Sequence, residues 1–388
     1  MMEKTNNEVK NKREPIFHVS KNTVLPFWQK AIFMLIAIVI ALLLIGVIGL
    51  LLIKSNPMKI YTALFKGPFI DIWTFLQNGA MLLGFTIAIV PAFRMKYFNM
   101  GANGCVLMSC AAAIACMKFL PEIKIAGSAM PNWLIIICMV VAGILASTIY
   151  SLIPALFKAF LDINETLFTL MSNYIAIKLV SFLIFVWDKS GSGTLNIVNR
   201  STKIGWFPNI GNKYVLSIIV VAVLTVIIAI YLKFTKHGFE AALVGESVNT
   251  ARYVGINDKF VMLRTIALCG VLCGILGVVY AGSISHTLTE KIGGLGFTAI
   301  LVTWLSNFSP IMMVVISYLV VFLQTGTNYV SSSLQLGSSD FSSVCVGIMF
   351  FCVIGAQYFI NYKVELTSRG RRIFGIKEKV KMVEGGIH

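Results

Sequence analysis

The feature that most constrains this chain is the run Ala31–Ile53, which contains no charged residue. A helix needs about 20 consecutive apolar residues to cross a bilayer, and this run is long enough. Similar runs recur along the sequence, at 72–93, 98–119, 132–154, 166–187, 214–233, 260–282, 295–308, 311–329 and 341–361. They are long and continuous rather than short and alternating, so they predict helices and not a barrel. The fold expected is an all-α polytopic membrane protein with about ten transmembrane helices. Composition agrees: 57% of residues are hydrophobic and 12% charged, where a soluble domain carries about a quarter charged. The eighth run is short and reads as a partial or re-entrant helix. Ala31–Ile53 is too long for a signal-peptide core and has no clear cleavage site, so it reads as a retained span.

The net charge is +16. In a soluble protein this would suggest nucleic acid. Here most Lys and Arg sit at the ends of apolar runs, which fits the positive-inside bias and a lipid bilayer as the partner, with no nucleic acid. An N-terminus placed inside puts Arg94, Lys96, Lys158, Lys233, Lys236 and Arg252 inside too. The chain then divides into a polar cytoplasmic tail (1–29), a transmembrane domain (30–361) and a basic cytoplasmic tail (362–388). The outer loops are 54–71, 120–131, 188–213, 283–294 and 330–340, and both termini are cytoplasmic.

Signatures of chemistry are missing. The eight cysteines all lie in apolar runs and form no CxxC pair with histidine partners, so they read as small buried hydrophobes and no metal site is expected. There is no GxxxxGK[ST] loop for ATP, no HExxH and no GxSxG. None of the sixteen acidic residues falls in the middle of a span, whereas an ion-driven carrier usually embeds one. Lys178 lies inside span 5 and is expected to snorkel outward.

Glycines cluster at two span starts. "FNMGANG" puts Gly101 and Gly104 at the inner start of span 3, and "KIGGLGF" puts Gly293, Gly294 and Gly296 at the outer start of span 8. These spans run in opposite directions, which points to an inverted repeat of spans 2–5 and 7–10. Close packing between helices is the alternative. Packing is the reading for Gly270, Gly274 and Gly277 on one face of span 7. The loop 236–258 is longer than a connection requires and holds two helix-compatible stretches punctuated by Gly245 and Gly255. It suits docking to a soluble partner, with a solvated linker as the alternative.

Four stretches, in order, resemble the permease subunits of bacterial ABC importers for simple sugars and nucleosides, within the broader family that carries branched-chain amino acids. "FNMGANG" at 98–104 resembles the signature Phe-Asn-Ile-Gly-Ala-Glu-Gly. "NETLFTLMSNYIA" at 164–176, "VGESVNTARYVGI" at 244–256 and, more loosely, "GFTAILVTWLSNFSP" at 296–310 resemble three further segments. Asn103 stands where the family usually has Glu, Cys105 where it has Gln, and Trp304 where it has a small residue. The resemblance implies an ABC ATPase subunit that binds the ATP, an extracytoplasmic substrate-binding protein and a second permease subunit, identical or homologous. It also makes 236–258 the segment that couples to the ATPase, through Gly245, Ala251, Arg252 and Gly255.

The physical reading of span 3 agrees. Gly101 and Gly104 let it begin irregularly, and Asn99 and Asn103 are expected to bond the freed backbone groups. Such backbone is tolerated only where protein or a water-filled path covers it. The expected wall of that path is Asn78, Asn99, Asn103, Thr169 and Asn173, with Gly294 and Gly296 as structural glycines at span 8. Neutral groups of this kind suit a sugar or ribose hydroxyl better than a charged solute, and the resemblance implies a nucleoside first and a simple sugar second. A stand-alone carrier or channel is the rival, and no enzyme is expected.

Overall fold

A computed structural model describes residues 17–21, 27–53, 57–125, 128–188, 195–208, 211–290, 292, 294–333 and 340–366. The helices are α1 (Phe27–Ile53), α2 (Pro57–Ile70), α3 (Ile72–Arg94), α4 (Ala102–Phe119), α5 (Asn132–Leu161), α6 (Glu165–Trp187), α7 (Val215–Phe234), α8 (Lys236–Glu246), α9 (Val248–Tyr253), α10 (Asp258–Val279), α11 (Leu295–Leu305), α12 (Pro310–Ser333) and α13 (Asp340–Asn361). A π-helical turn, Tyr280–Ser285, extends α10. Two short antiparallel ribbons join β1 (Phe17–Lys21) to β4 (Tyr362–Leu366) and β2 (Lys124–Ile125) to β3 (Ser128–Ala129).

Among the described residues nine helices are long and apolar enough to cross a membrane: α1, α3–α7, α10, α12 and α13. The eighth apolar run yields only the short α11, as its length foretells. Two readings change. The segment 54–71, read as a loop, contains α2, which packs closely on α12: a Cβ on Gly67 would lie 2.8 Å from the Tyr329 Cβ. Helix α5 runs seven residues past the expected end. Its last turn is charged, and Lys158 pairs with Asp162 at 2.8 Å and Glu165 at 3.3 Å, while Asp162 takes the left-handed conformation that ends the helix.

The chain forms two compact units. One holds residues up to 57 and from 344 onward, with α1, most of α13 and the β1–β4 ribbon. The ribbon pairs the backbone just before the first span with the backbone just after the last. The other unit, 58–343, holds α3–α12.

Helix α5 explains how the second unit coheres. Ile135, Met139, Gly143, Ser147, Ser151, Ala155 and Ala159 recur at a spacing of four and are buried. Trp133, Ile137, Val141, Leu145, Ile149 and Ile153 recur at the same spacing and are exposed. The inner stripe is small or weakly polar for most of its length and the outer stripe large and apolar, the arrangement that lets helix backbones meet inside lipid. The partners are α4 and α10. Ser147 Oγ donates to the Gly270 carbonyl at 2.8 Å, and Ser109 Oγ donates to the Gly274 carbonyl at 2.7 Å. The glycines of span 7 are therefore packing residues.

Part of the contact pattern within this unit repeats when α3–α5 are exchanged with α10–α12. Helix α10 packs on α4 and α5 as α3 packs on α11 and α12, and α4–α5 matches α11–α12. This is the pairing expected of a repeat over spans 2–4 and 7–9; span 5 against span 10 has no part in it.

A side chain at Gly274 has no room, because its Cβ would lie 2.7 Å from the Ile144 Cα, which is backbone. Gly274→Leu is expected to destabilise the chain by at least ~1–3 kcal/mol, the usual cost of overpacking, seen as a lowered unfolding midpoint of the purified protein. An unchanged midpoint would mean that α5 and α10 separate freely.

Candidate functional site

Helix α4 starts from an extended segment after α3. Asn99 Oδ1 accepts the Gly101 N–H at 2.9 Å, and Thr169 Oγ1, one turn into α6, accepts the Met100 N–H at 3.1 Å. Thr169 also donates to the Glu165 carbonyl at 2.7 Å. These two side chains satisfy the irregular backbone. Asn103, expected to share that task, does not: its Oδ1 is buried without a partner. Asn173 lies one turn beyond Thr169, fully buried, with Oδ1 and Nδ2 both unpartnered. Gly104 makes room for it, since a Cβ there would stand 3.2 Å from Asn173 Oδ1.

The two glycine clusters were placed at opposite membrane boundaries. The structure instead brings them together. A Cβ on Gly296, in the first turn of α11, would stand 2.6 Å from the Asn103 Cβ in the first turn of α4. Gly101 and Gly294 are the N-caps of these helices, and neither start has a side-chain cap. Gly294 needs its missing side chain for conformation, with φ of 69°. Gly293 lies outside the described residues. Two helix starts thus cross inside the bundle, and their positive dipole ends meet beside unpartnered amides.

Aromatic rings pack on one another near the start and end of these two helices. Trp304 stacks on Phe98 with centroids 5.6 Å apart, and Phe93 meets Phe98 edge-on at 5.7 Å. The bulky Trp304 has a partner here. A cavity of about 170 Å³ lies between α3, the π turn, α11 and α12. One buried water needs only about 10–15 Å³, so the space admits a small solute. Asn78 faces it, apart from the other four path residues, together with Gln77, Tyr280, Gln324, Thr325 and Asn328. These five were missed. The available signal was amides inside apolar runs, adjacent at 77–78 and four apart on one face of span 9. Lys178 is exposed on α6 and takes no part.

The segment leading into α11 is held by an outer loop. Val198 N–H donates to the His286 carbonyl and Phe207 N–H to the Gly282 carbonyl, both at 3.0 Å. Trp206 stacks on His286 at 3.7 Å. Burial, helped by Lys213, pushes the His286 pKa down to about 4, so the imidazole is neutral near pH 7.

At the other end of α3, about 25 Å from Gln77 by helical rise, the loop 236–258 folds as α8 and α9. Ala241, Val244 and Ala251 join a buried apolar cluster with Ala92, Ala155 and Val261. Gly245 packs against the Arg94–Met95 backbone, and Gly255 turns the chain with φ of 84°. Arg252 makes two bonds to Asp258, at 2.9 and 2.8 Å. Arg264 bonds Glu240 at 2.9 Å and holds that carboxyl below its ordinary pKa, so the pair persists at neutral pH and is lost only as pH falls through the lowered value. Tyr253 and Val254 are strongly exposed.

Residues 72–354 match the family described as the permease component of the branched-chain amino acid transport system. A nucleoside ABC transporter permease of Lactococcus lactis subsp. cremoris is 28% identical over 313 residues, covering 77% of this chain and 84% of that protein. A guanosine ABC transporter permease of Bacillus subtilis is 25% identical over 305 residues, 75% of this chain and 84% of that one. A glucose ABC transporter permease of Haloferax volcanii is 24% identical over 347 residues, 85% and 88% of the two. No solved structure matches the chain.

The unpartnered amide of Asn173 yields a test of sign. An unsatisfied buried polar group costs about 1–3 kcal/mol, and replacing it by an apolar group of similar shape recovers that cost. Asn173→Leu is therefore expected to raise the unfolding midpoint. A lowered midpoint would mean that the carboxamide is bonded in the membrane.

Proposed function

The chain belongs to the permease components of ABC importers, multi-pass transport subunits without an ATPase domain, and on that premise we propose that it forms the membrane path for a neutral polar solute, a nucleoside first and a simple sugar second. The observation that carries this reading is the cavity beside the helix crossing. Among the described residues its polar lining is made of carboxamides, a threonine and a tyrosine, with no charged side chain. Such a lining can desolvate a neutral hydrogen-bonding solute and would leave an ion unpaired. Asn78 belongs to the cavity, and Asn99, Asn103, Thr169 and Asn173 line the path at the crossing. The stacked Phe98 and Trp304 close its far side. Conversion between the two ends is a two-state motion of α11 against α4.

The motion is driven from α8 and α9. The exposed Tyr253 and Val254 face a separate ATPase subunit, and the buried Gly245 and Ala251 transmit its displacement to α3 and α10. Arg252 and Gly255 keep the turn after α9 rigid. The complex also contains a second permease subunit, identical or homologous, and an extracytoplasmic substrate-binding protein. The chain is multi-pass in a bacterial cell membrane with both termini cytoplasmic, a reading supported by the clustered Lys and Arg and by the pairing of β1 with β4.

The test is gentle purification from native membranes, identification of bound subunits, and reconstitution of the complex in vesicles. ATP-dependent uptake is expected. Uptake by the purified chain alone, without ATP, would replace this reading with a stand-alone carrier. In the reconstituted complex Arg252→Glu is expected to lower uptake about tenfold, equivalent to ~1.4 kcal/mol, while ATP hydrolysis continues. Retained coupling would remove α9 from the drive path.

A further inference from the structure

We propose that the non-helical segment Met95–Gly101 carries displacement of α8 and α9 to α11, with Tyr97 as the positioning residue that anchors it. The inference rests on the permease reading and names the device by which the loop 236–258 regulates the helix crossing.

The segment is short and touches both ends of that route. At its start α8 lies on its backbone, since a Cβ on Gly245 would stand 3.0 Å from the Met95 Cα. Met95 and Tyr97 belong to the apolar cluster that also holds Ala241 and Val244 of α8 and Ala251 of α9. The next residue, Phe98, stacks on Trp304 in the last turn of α11, with ring planes 16° apart. Asn99 and Met100 then make the bonds to Gly101 and Thr169 that fix the start of α4. An extended chain covers at most ~3.6 Å per residue, so the three steps from Met95 to Phe98 span no more than about 11 Å. Helix α11 itself packs on α3, α4 and α12. The segment joins two of these helices and touches α11 through Phe98, so it is the shortest covalent route from the cluster.

The segment is also braced to shift as one piece. Lys96 takes a left-handed φ of 58°. The Tyr97 N–H donates back to the Ala92 carbonyl at 3.0 Å, and the Tyr97 carbonyl accepts the Asn99 N–H at 3.0 Å. The backbone of Tyr97 is thus tied on both sides, and its side chain is buried, with 3% exposure. Its hydroxyl is buried without a partner among the described residues. The shape of the ring, and not its oxygen, therefore holds Tyr97 in the cluster. Close-packed interiors transmit displacement rather than absorb it, so a shift of α8 or α9 against this ring takes Phe98 and Asn99 with it.

The test uses the complex purified from native membranes, with 5-fluorotryptophan in place of tryptophan. The Trp304 fluorine resonance is assigned by its loss in Trp304→Phe. ATP with orthovanadate, which arrests hydrolysis, is expected to shift that resonance in the wild-type complex and in Tyr97→Phe, which keeps the ring. In Tyr97→Ala the shift is expected to be lost while ATP is still hydrolysed. A purely structural role would lower the unfolding midpoint of Tyr97→Ala and leave the shift in place. If that variant does not assemble, Tyr97→Leu keeps apolar bulk without the planar ring and is expected to reduce the shift by at least half. A full shift in either assembled variant, loss of the shift in Tyr97→Phe, or no shift in the wild type with the ATPase bound, would overturn the proposal. Absence of an ATPase subunit from the purified complex would instead overturn the permease reading, and this proposal with it.

Discussion

Inside a bilayer the surrounding lipid is as apolar as any leucine, so apolar burial alone gives helices little reason to prefer one another over lipid. The bundle formed by α4, α5 and α10 relies instead on close backbone approach. Gly143, Gly270, Gly274 and Gly277 remove the side chains that would keep the helices apart. Ser109 and Ser147 then reach carbonyls across the narrowed gap. Dispersion over the long contacts and these few hydrogen bonds hold the scaffold, and the large side chains are left to face outward. The remaining elements take their positions from this seam. Helix α4 is fixed along its length by α5 and α10, so its irregular start can be carried by Asn99 and Thr169 alone.

The same constraint shapes the site. A path through a bilayer needs polar groups, yet a charge there is costly and an unmet amide moderately so. Among the described residues the proposed path uses neutral groups, and the Asn103 and Asn173 amides are left unmet near the starts of α4 and α11. Asn103 and Asn173 lie at the point where glycines permit the tightest contact. Burial of unpartnered amides weakens this arrangement, while the stacked Phe98 and Trp304 strengthen it by about 0.5–1.5 kcal/mol. A balance of small opposing terms of this kind is what permits two arrangements of similar energy.

Much of the fold was legible because its signal is local. Apolar length identified the spans, and the deficit at 295–308 foretold the short α11. Glycine spacing identified the face of α10 that packs. What stayed hidden depends on contacts distant in sequence. Nothing in "FNMGANG" says that Asn103 meets Gly296, because that meeting follows from the packing of two helix starts 193 positions apart (296 − 103). The amides of α3 and α12 are 247 positions apart between Gln77 and Gln324 (324 − 77) and converge only through the packing of those helices. Helix α2 was missed because Lys59, Lys66 and Pro68 interrupt its apolar pattern. In the loop 236–258, glycine and charge patterns marked order. They did not distinguish residues that hold the loop, such as Ala251, from those that face outward, such as Tyr253.

The pairing of β1 with β4 bears on how copies of this chain could be joined. Five residue pairs, from Phe17 with Leu366 to Lys21 with Tyr362, set the strand before the first helix beside the strand after the last. Strands paired in this way leave together, so in a tandem fusion the connection to a second copy departs from β4 beside the strand that leads into the first helix of its own copy.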